Sequence, residues 1–168
     1  ALATALVIVM LESPAPMGFL PQLCKYLLGE DLRLPSVGCY WCGEAAARQH
    51  VLANLASMVI KSAYHGAARP PIFWAGLTKE ALAELRRRIE ASPREFVGEE
   101  QVARSTAPVL VGERVEPRHV VLRAHLVATG DTYAVMPGGL TRFSAAADSM
   151  IVSMQTGGGS KDTWVLER

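Results

Sequence analysis

Lys61 closes the apolar run MVIK. A lysine there has to leave the core and find water or an anion, because a buried ammonium without a partner is costly. Glu99 and Glu100 stand side by side at the end of FVGEEQV. Neighbours on a strand face opposite ways, so one carboxylate can point into a cleft while the other meets solvent. Arg118 and Arg123 take opposite sides of an extended run for the same reason. Arg142 follows the glycine turn PGGLT, from which a guanidinium can be aimed at phosphate oxygens. The stretch TGGGSKD groups Gly157, Gly158, Gly159, Ser160 and Lys161. Glycines reach backbone conformations that can turn several N–H groups toward one anion. This is not a P-loop, G-x-x-x-x-G-K-[ST], because Lys161 follows a serine and precedes an aspartate. A hairpin turn is the alternative. Each residue alone reads as a solvated surface charge. Together they form an anion-binding constellation: a strand-end lysine, an acidic strand, a strand arginine, and two glycine turns each followed by a base.

Other chemistries are weaker. Cys39 and Cys42 form C-Y-W-C ahead of a helix-like stretch, which leaves structural thiols, a redox pair or half a zinc site open. Cys24 and His50 are isolated, and no second ligand pair stands at zinc spacing. His50, His65, His119 and His125 sit in unrelated contexts, and no G-x-S-x-G is present, so nothing suggests a serine–histidine–aspartate hydrolase. The basic face of ELRRRIE reads as a solvated helix surface rather than a nucleic-acid stripe.

The elements that must position these groups change character along the chain. FLPQLCKYLLG has helical spacing, begins near Pro21 and stops at Gly29. EAAARQHVLANLASM continues as helix, with Val51, Leu52 and Leu55 on one face. MVIKSA and PIFWAG read as short strands. TKEALAELRRRIEASP is the clearest helix, with Thr78 as cap, a Leu82, Leu85, Ile89 stripe, and Glu84 four residues before Arg88. The period then changes to two in EFVGEEQV, APVLVG, RHVVLRAHLVAT, TYAVMPGG, SMIVSM and DTWVLE. Trp164 is expected to pack inward and anchor the last glycine turn. This is an α+β pattern, with helices packed on a largely antiparallel sheet. Expected segments are a helical part over 1–43, a small lobe over 44–98 and a sheet lobe over 99–168.

Of the 168 residues, 50% are hydrophobic and 20% charged, which is a globular composition; a net charge of +1 gives no bulk field for nucleic acid or an acidic membrane. The opening run ALATALVIVM is too short to span a bilayer and lacks a basic leader, and three cysteines without a secretory signal point to a reducing, cytoplasmic setting. The chain begins with alanine and reads as a piece of a longer protein.

The stretches FLPQLCKYLLGEDLRLPSV, WCGE, MVIK, GEEQVARSTAPV, EPRHVVLR, VMPGGLTRFS and QTGGGSKDTWVL resemble the circularly permuted ATP-grasp proteins. The resemblance runs from about Leu11 to the C-terminus and implies the C-terminal portion of such a module. It implies an ATP-dependent ligase that joins a carboxylate to an amine through an acyl phosphate, with ATP and Mg²⁺ as cofactors. Lys61 then matches the strand lysine that meets the nucleotide phosphates. Glu99, Glu100, Gln101 and Val102 match the strand that reads adenine through its backbone and offers a carboxylate to the ribose. Arg123, Arg142 and Lys161 match catalytic cations around the phosphates, and Gly157, Gly158, Gly159 and Ser160 become an anion-facing loop. The partners implied are the remainder of the longer chain and an alpha-helical domain. Two departures stand out: SAYHGAARPPIFWAG replaces a glycine-rich flap, and Val121 stands where many members carry the acid of D-L-R. A non-catalytic ATP-grasp-like scaffold that binds a nucleotide or a partner protein is the other reading.

Overall fold

Capping residues set the ends of the helices. The computed structural model describes residues 13–64, 71–73 and 77–166. Helix α1 (Leu20–Leu28) follows a short 3-10 turn, Ala15–Phe19, and carries Pro21 in its first turn, where no intrahelical N–H is needed. Gly29 ends it in the left-handed region, φ 69°, with its N–H returned to the Lys25 carbonyl. Helix α2 (Ala45–Ala53) is shorter than its sequence pattern: Asn54 breaks it, and a 3-10 turn, Leu55–Ser57, leads into the next strand. Helix α3 (Lys79–Ala91) starts where Thr78 Oγ1 accepts the Ala81 N–H at 3.2 Å. It buries Leu85 and Ile89. Glu84 pairs with Arg87, not with Arg88. Arg88 instead stacks its guanidinium 5.7 Å from the Phe96 ring, a cation–π contact that removes it from the exposed row.

The chain divides into two compact units between Val102 and Ala103. The first holds β1 (Cys39–Trp41), β2 (Met58–Ser62), β3 (Ile72–Phe73) and β4 (Phe96–Glu100). They form one antiparallel sheet in the order β1-β4-β2-β3. The boundaries expected at 43/44 and 98/99 therefore fall beside and inside this one sheet. Strand alternation splits it into two faces. Met58, Ile60 and Phe96 form a core with Val51, Leu55, Leu85, Ile89 and Cys42. Gly98 lies on this face, where a Cβ would come within 2.6 Å of Val51 Cγ2, so α2 packs directly on the strand backbone. The opposite face carries Cys39, Val59, Lys61, Val97 and Glu99. The 3-10 turn runs along it: the Ala15 N–H reaches the Ala63 carbonyl at 3.3 Å.

The second unit contains β5 (Thr106–Val111), β6 (Arg114–Arg123), β7 (Leu126–Thr129), β8 (Thr132–Val135), β9 (Gly139–Phe143) and β10 (Gly159–Thr163). Four strands pair in the order β10-β9-β6-β5, and β7 with β8 forms a separate hairpin. The hairpins β5–β6 and β7–β8 turn through two residues, each beginning with a glycine at positive φ: Gly112 at 61° and Gly130 at 60°. That geometry matches the twist of the flanking strands. The whole is α+β with antiparallel sheets.

In the second unit the structure departs from four sequence expectations. RHVVLRAHLVAT is not one strand, because β6 ends at Arg123 and β7 starts at Leu126. SMIVSM is not a strand. Ser149 and Ser153 accept the N–H groups of Ile151 and Gln155, and Arg104 takes the Met150 carbonyl, so local side-chain bonds replace a ladder. PGGLT is a turn only to Gly138, φ 122°, since Gly139 already opens β9. Trp164 does not pack inward. It lies just beyond the end of β10 and is 82% exposed. The expected flap falls partly on residues 65–70 and 74–76, which lie outside the described residues. Among the described residues, no helix is long and apolar enough to cross a membrane.

Candidate functional site

Register brings Lys61 and Glu99 together. Val59 lies opposite Glu99 and Lys61 opposite Val97, so the two charged residues are diagonal neighbours on one face. Lys61 Nζ donates to Glu99 Oε2 at 2.5 Å, with side chains 32% and 20% exposed. Valines surround the pair: Val59 is 7% exposed and Val97 fully buried. The lysine of MVIK thus finds its anion on the adjacent strand rather than in bulk water. Glu100 points to the other face, as strand alternation requires, and its Oε1 accepts the Tyr40 hydroxyl at 2.9 Å. That bond, together with burial, raises the Tyr40 pKa. Gln101 and Val102 follow the strand in exposed chain, and the Gln101 N–H donates to the Ser57 carbonyl.

Cys39, left open in the sequence between a structural thiol, a redox pair and half a zinc site, lies on the same sheet face as Lys61 and Glu99. It lies directly opposite Glu99 in the ladder, and its Sγ donates to the Pro14 carbonyl at 3.7 Å. Its signal was the β-prone triplet CYW, hidden by the attention that C-x-x-C draws. Burial, and then the Glu99 carboxylate, push the Cys39 thiol up to about 11; burial does the same to Cys42. Cys42 belongs to the core on the other face of the sheet. Two thiols with raised pKa on opposite faces do not form a redox pair, whose attacking thiol needs a lowered pKa. All three cysteines are free, and among the described residues no group of three or more His, Cys, Asp and Glu could hold a metal ion.

In the second unit, Arg142 lies opposite Val121 on one side and Ser160 on the other, and Arg123 lies opposite Leu140. Arg123, Arg142 and Ser160 therefore share a face. The Nε atoms of Arg118 and Arg142 are both buried with no hydrogen-bond partner among the described residues. Arg118 is on the opposite face and 7% exposed, with its guanidinium held by Glu116 at 2.7 Å and by the Ala145 carbonyl. Lys161 lies opposite Thr141 on that same face, away from Arg142. Its Nζ donates to the Pro108 carbonyl at 2.5 Å. Lys161 is expected near Lys61, Arg123 or Arg142; of these, Arg123 and Arg142 lie on the opposite face of the sheet, because one residue of register moves a side chain across it.

The three glycines have packing reasons. Gly157 adopts φ 84° and returns its N–H to the Met154 carbonyl, and Gly158 returns its own to the Ser153 carbonyl at 3.0 Å. A Cβ on Gly158 would meet the Phe143 carbonyl at 2.5 Å, and one on Gly159 would enter the Phe143 ring. The turn closes on itself and on Phe143, and two of its three glycine N–H groups are already bonded within it.

The model of the circularly permuted ATP-grasp type 2 family matches residues 1–144. The chain belongs to this family. GGGSKDTWV lies beyond the matched span, whereas Lys61, Glu99, Arg123 and Arg142 lie within it. The chain is 36% identical over 149 residues to an uncharacterized protein of Synechocystis sp., covering 89% of this chain and 31% of that protein. It is 34% identical over 148 residues to an uncharacterized protein of Mycobacterium leprae, covering 88% and 26%. It is 37% identical over 150 residues to a Frankia casuarinae protein named "Putative glutamate--cysteine ligase 2-2", covering 89% and 17%. The chain thus spans about a third or less of the length of these relatives. ATP-grasp membership and these relatives support a ligase-like superfamily.

Proposed function

We propose that this chain forms part of an ATP-dependent ligase that joins a carboxylate to an amine through an acyl phosphate. The carrying observation is the Lys61–Glu99 pair on a valine-lined sheet face. A half-buried lysine is retained where an apolar residue would pack with less desolvation, which points to work for the ammonium beyond stability. An ammonium has three donors, so one bond to Glu99 leaves two for phosphate oxygens. Within the second unit, Arg123 and Arg142 offer two guanidinium groups of their own on one sheet face, and the unpartnered Arg142 Nε suits an anion. Catalysis of phosphoryl transfer rests on such positioning and charge stabilisation. Among the described residues no group of three or more His, Cys, Asp and Glu stands ready for a metal ion. The amine, the carboxylate, the metal ligands and any alpha-helical partner domain belong to the longer protein, which we place in the cytoplasm on the strength of three free thiols.

The scaffold reading has its own support: Lys161 and the glycine turn are satisfied internally, and Val121 stands where the resemblance leads one to expect an acid. One experiment separates the two. Calorimetric titration of the full-length protein with ATP, with and without Mg²⁺, is followed by ADP release over a panel of carboxylates and amines. Under the ligase reading ATP binds, Lys61→Met weakens binding about tenfold or more, corresponding to about 1.4 kcal/mol, and at least one pair stimulates ADP release. Binding without turnover supports the scaffold. A folded full-length protein that binds no nucleotide refutes the ligase reading and leaves the scaffold only in its partner-protein form.

A further inference from the structure

We propose that one face of the β7–β8 hairpin is the seat of an amphipathic helix contributed by the longer polypeptide from outside these 168 residues. The two strands form a sheet of their own, apart from the four-stranded sheet of the second unit. The Met136 N–H reaches the His125 carbonyl at 3.0 Å and adds one pair at the base of the hairpin. The next pair is Arg123 with Leu140, in the β6–β9 ladder. Between them stand Pro137, which has no N–H to give, and Gly138 at φ 122°. The ladder is broken there, and every residue of β7 and β8 is exposed. An isolated two-stranded hairpin is at best marginally stable in water. The proposal holds for a ligase and for a scaffold alike.

Register sorts the side chains of the hairpin. Leu126 lies opposite Val135 and Ala128 opposite Tyr133, so these four share one face. Val127, Ala134, Thr129 and Thr132 share the other. The first face has no polar group but the Tyr133 hydroxyl, and its large side chains stand open: Leu126 is 60% exposed, Tyr133 69% and Val135 59%. Of residues 126–136 only Asp131, in the turn, carries a charge. Strand edges that stay in water are guarded by charged side chains, which also block pairing with other chains. The strands of this hairpin carry none, so it is composed for cover on the Leu126 face.

The size of the face decides the occupant. Four residues of each strand make it about 13 Å long and two strands make it about 10 Å wide, so it offers on the order of 100–200 Å². A stable complex between separate chains needs about 800 Å² from each partner. A second copy or a separate protein therefore gains too little from this face, whereas a segment of the same polypeptide is present at an effective concentration in the millimolar range. The relatives have such segments, since this chain spans 31%, 26% and 17% of their length, and the hairpin lies within the span that the family model matches. A strand added at either edge would pair backbone groups and leave the face bare. A helix stripe covers it, in the layered packing that buries a one-sided sheet. About nine residues of helix match its length, with apolar side chains three and four residues apart.

The test uses the full-length protein. Ala128→Cys and Ala134→Cys place a thiol on opposite faces of the hairpin with little change of bulk, and thermal melts check that each variant is folded. Maleimide labelling at each site is followed by peptide mass spectrometry. The expected result is labelling at least tenfold slower at position 128 than at position 134. In a separate variant p-benzoylphenylalanine replaces Tyr133, and the protein is irradiated in dilute solution. The expected product has the mass of one chain and joins position 133 to a segment outside these 168 residues whose apolar side chains recur at helical spacing. Equal labelling at the two positions, cross-linking to a second copy or to another protein, capture of residues within this chain alone, or no capture overturns the proposal.

Discussion

Replacing Lys61 by methionine removes the counter-ion of Glu99 but keeps the length of the side chain. Exposed ion pairs contribute about 0–1 kcal/mol, whereas breaking a buried pair costs about 3–5 kcal/mol because the remaining charge is stranded. Exposures of 32% and 20% place this pair between the two regimes. Lys61→Met should therefore destabilise the chain by about 2 kcal/mol, lowering Tm by about 4–8 °C at this size. The double variant Lys61→Met with Glu99→Leu sets apolar atoms beside Val59 and Val97, and should return to within about 1 kcal/mol of the parent. Urea titrations of the parent, both single variants and the double variant complete a cycle, read at constant slope. A loss below about 0.5 kcal/mol in Lys61→Met, or additivity of the two single changes, would refute the coupling and with it the account of why this lysine tolerates the sheet face.

Two further outcomes follow from the geometry. Gly159→Ala should destabilise the second unit by about 1–3 kcal/mol, because the new methyl group enters the Phe143 ring; thermal melts check it, and an unchanged Tm would show that the ring yields freely. Cys39 and Cys42 have pKa values raised from 9.0 to about 11, so unfolded chains lose these protons first as pH rises. The native state then holds more protons between pH 9 and 11, and stability is full below pH 9 and falls across that window. Thiolate absorbance should appear only near pH 11 for both, and iodoacetamide at pH 8 should spare them; a thiolate near pH 8.5 at either one contradicts the burial argument.

Local patterns were enough for the helices and for most strands. Thr78, Pro21 and Gly29 act through groups within one helical turn of themselves, so their effects are written in adjacent residues. Strand parity likewise settled that Glu99 and Glu100, and Arg118 and Arg123, face opposite ways, because alternation is a property of one extended chain. The family was legible in MVIK, EPRHVVLR and VMPGGLTRFS, all within the matched span. Tertiary structure alone decided which side chains meet. Lys61 reaches Glu99 through the β2–β4 register, and Lys161 turns away from Arg142 through the β9–β10 register. Nothing local encodes either, since a slip of one residue would exchange the faces and leave every propensity unchanged. The glycines of TGGGSK show the same limit: their freedom was visible in sequence, but its use, closing a turn onto Phe143, depends on a strand that folds back beside them.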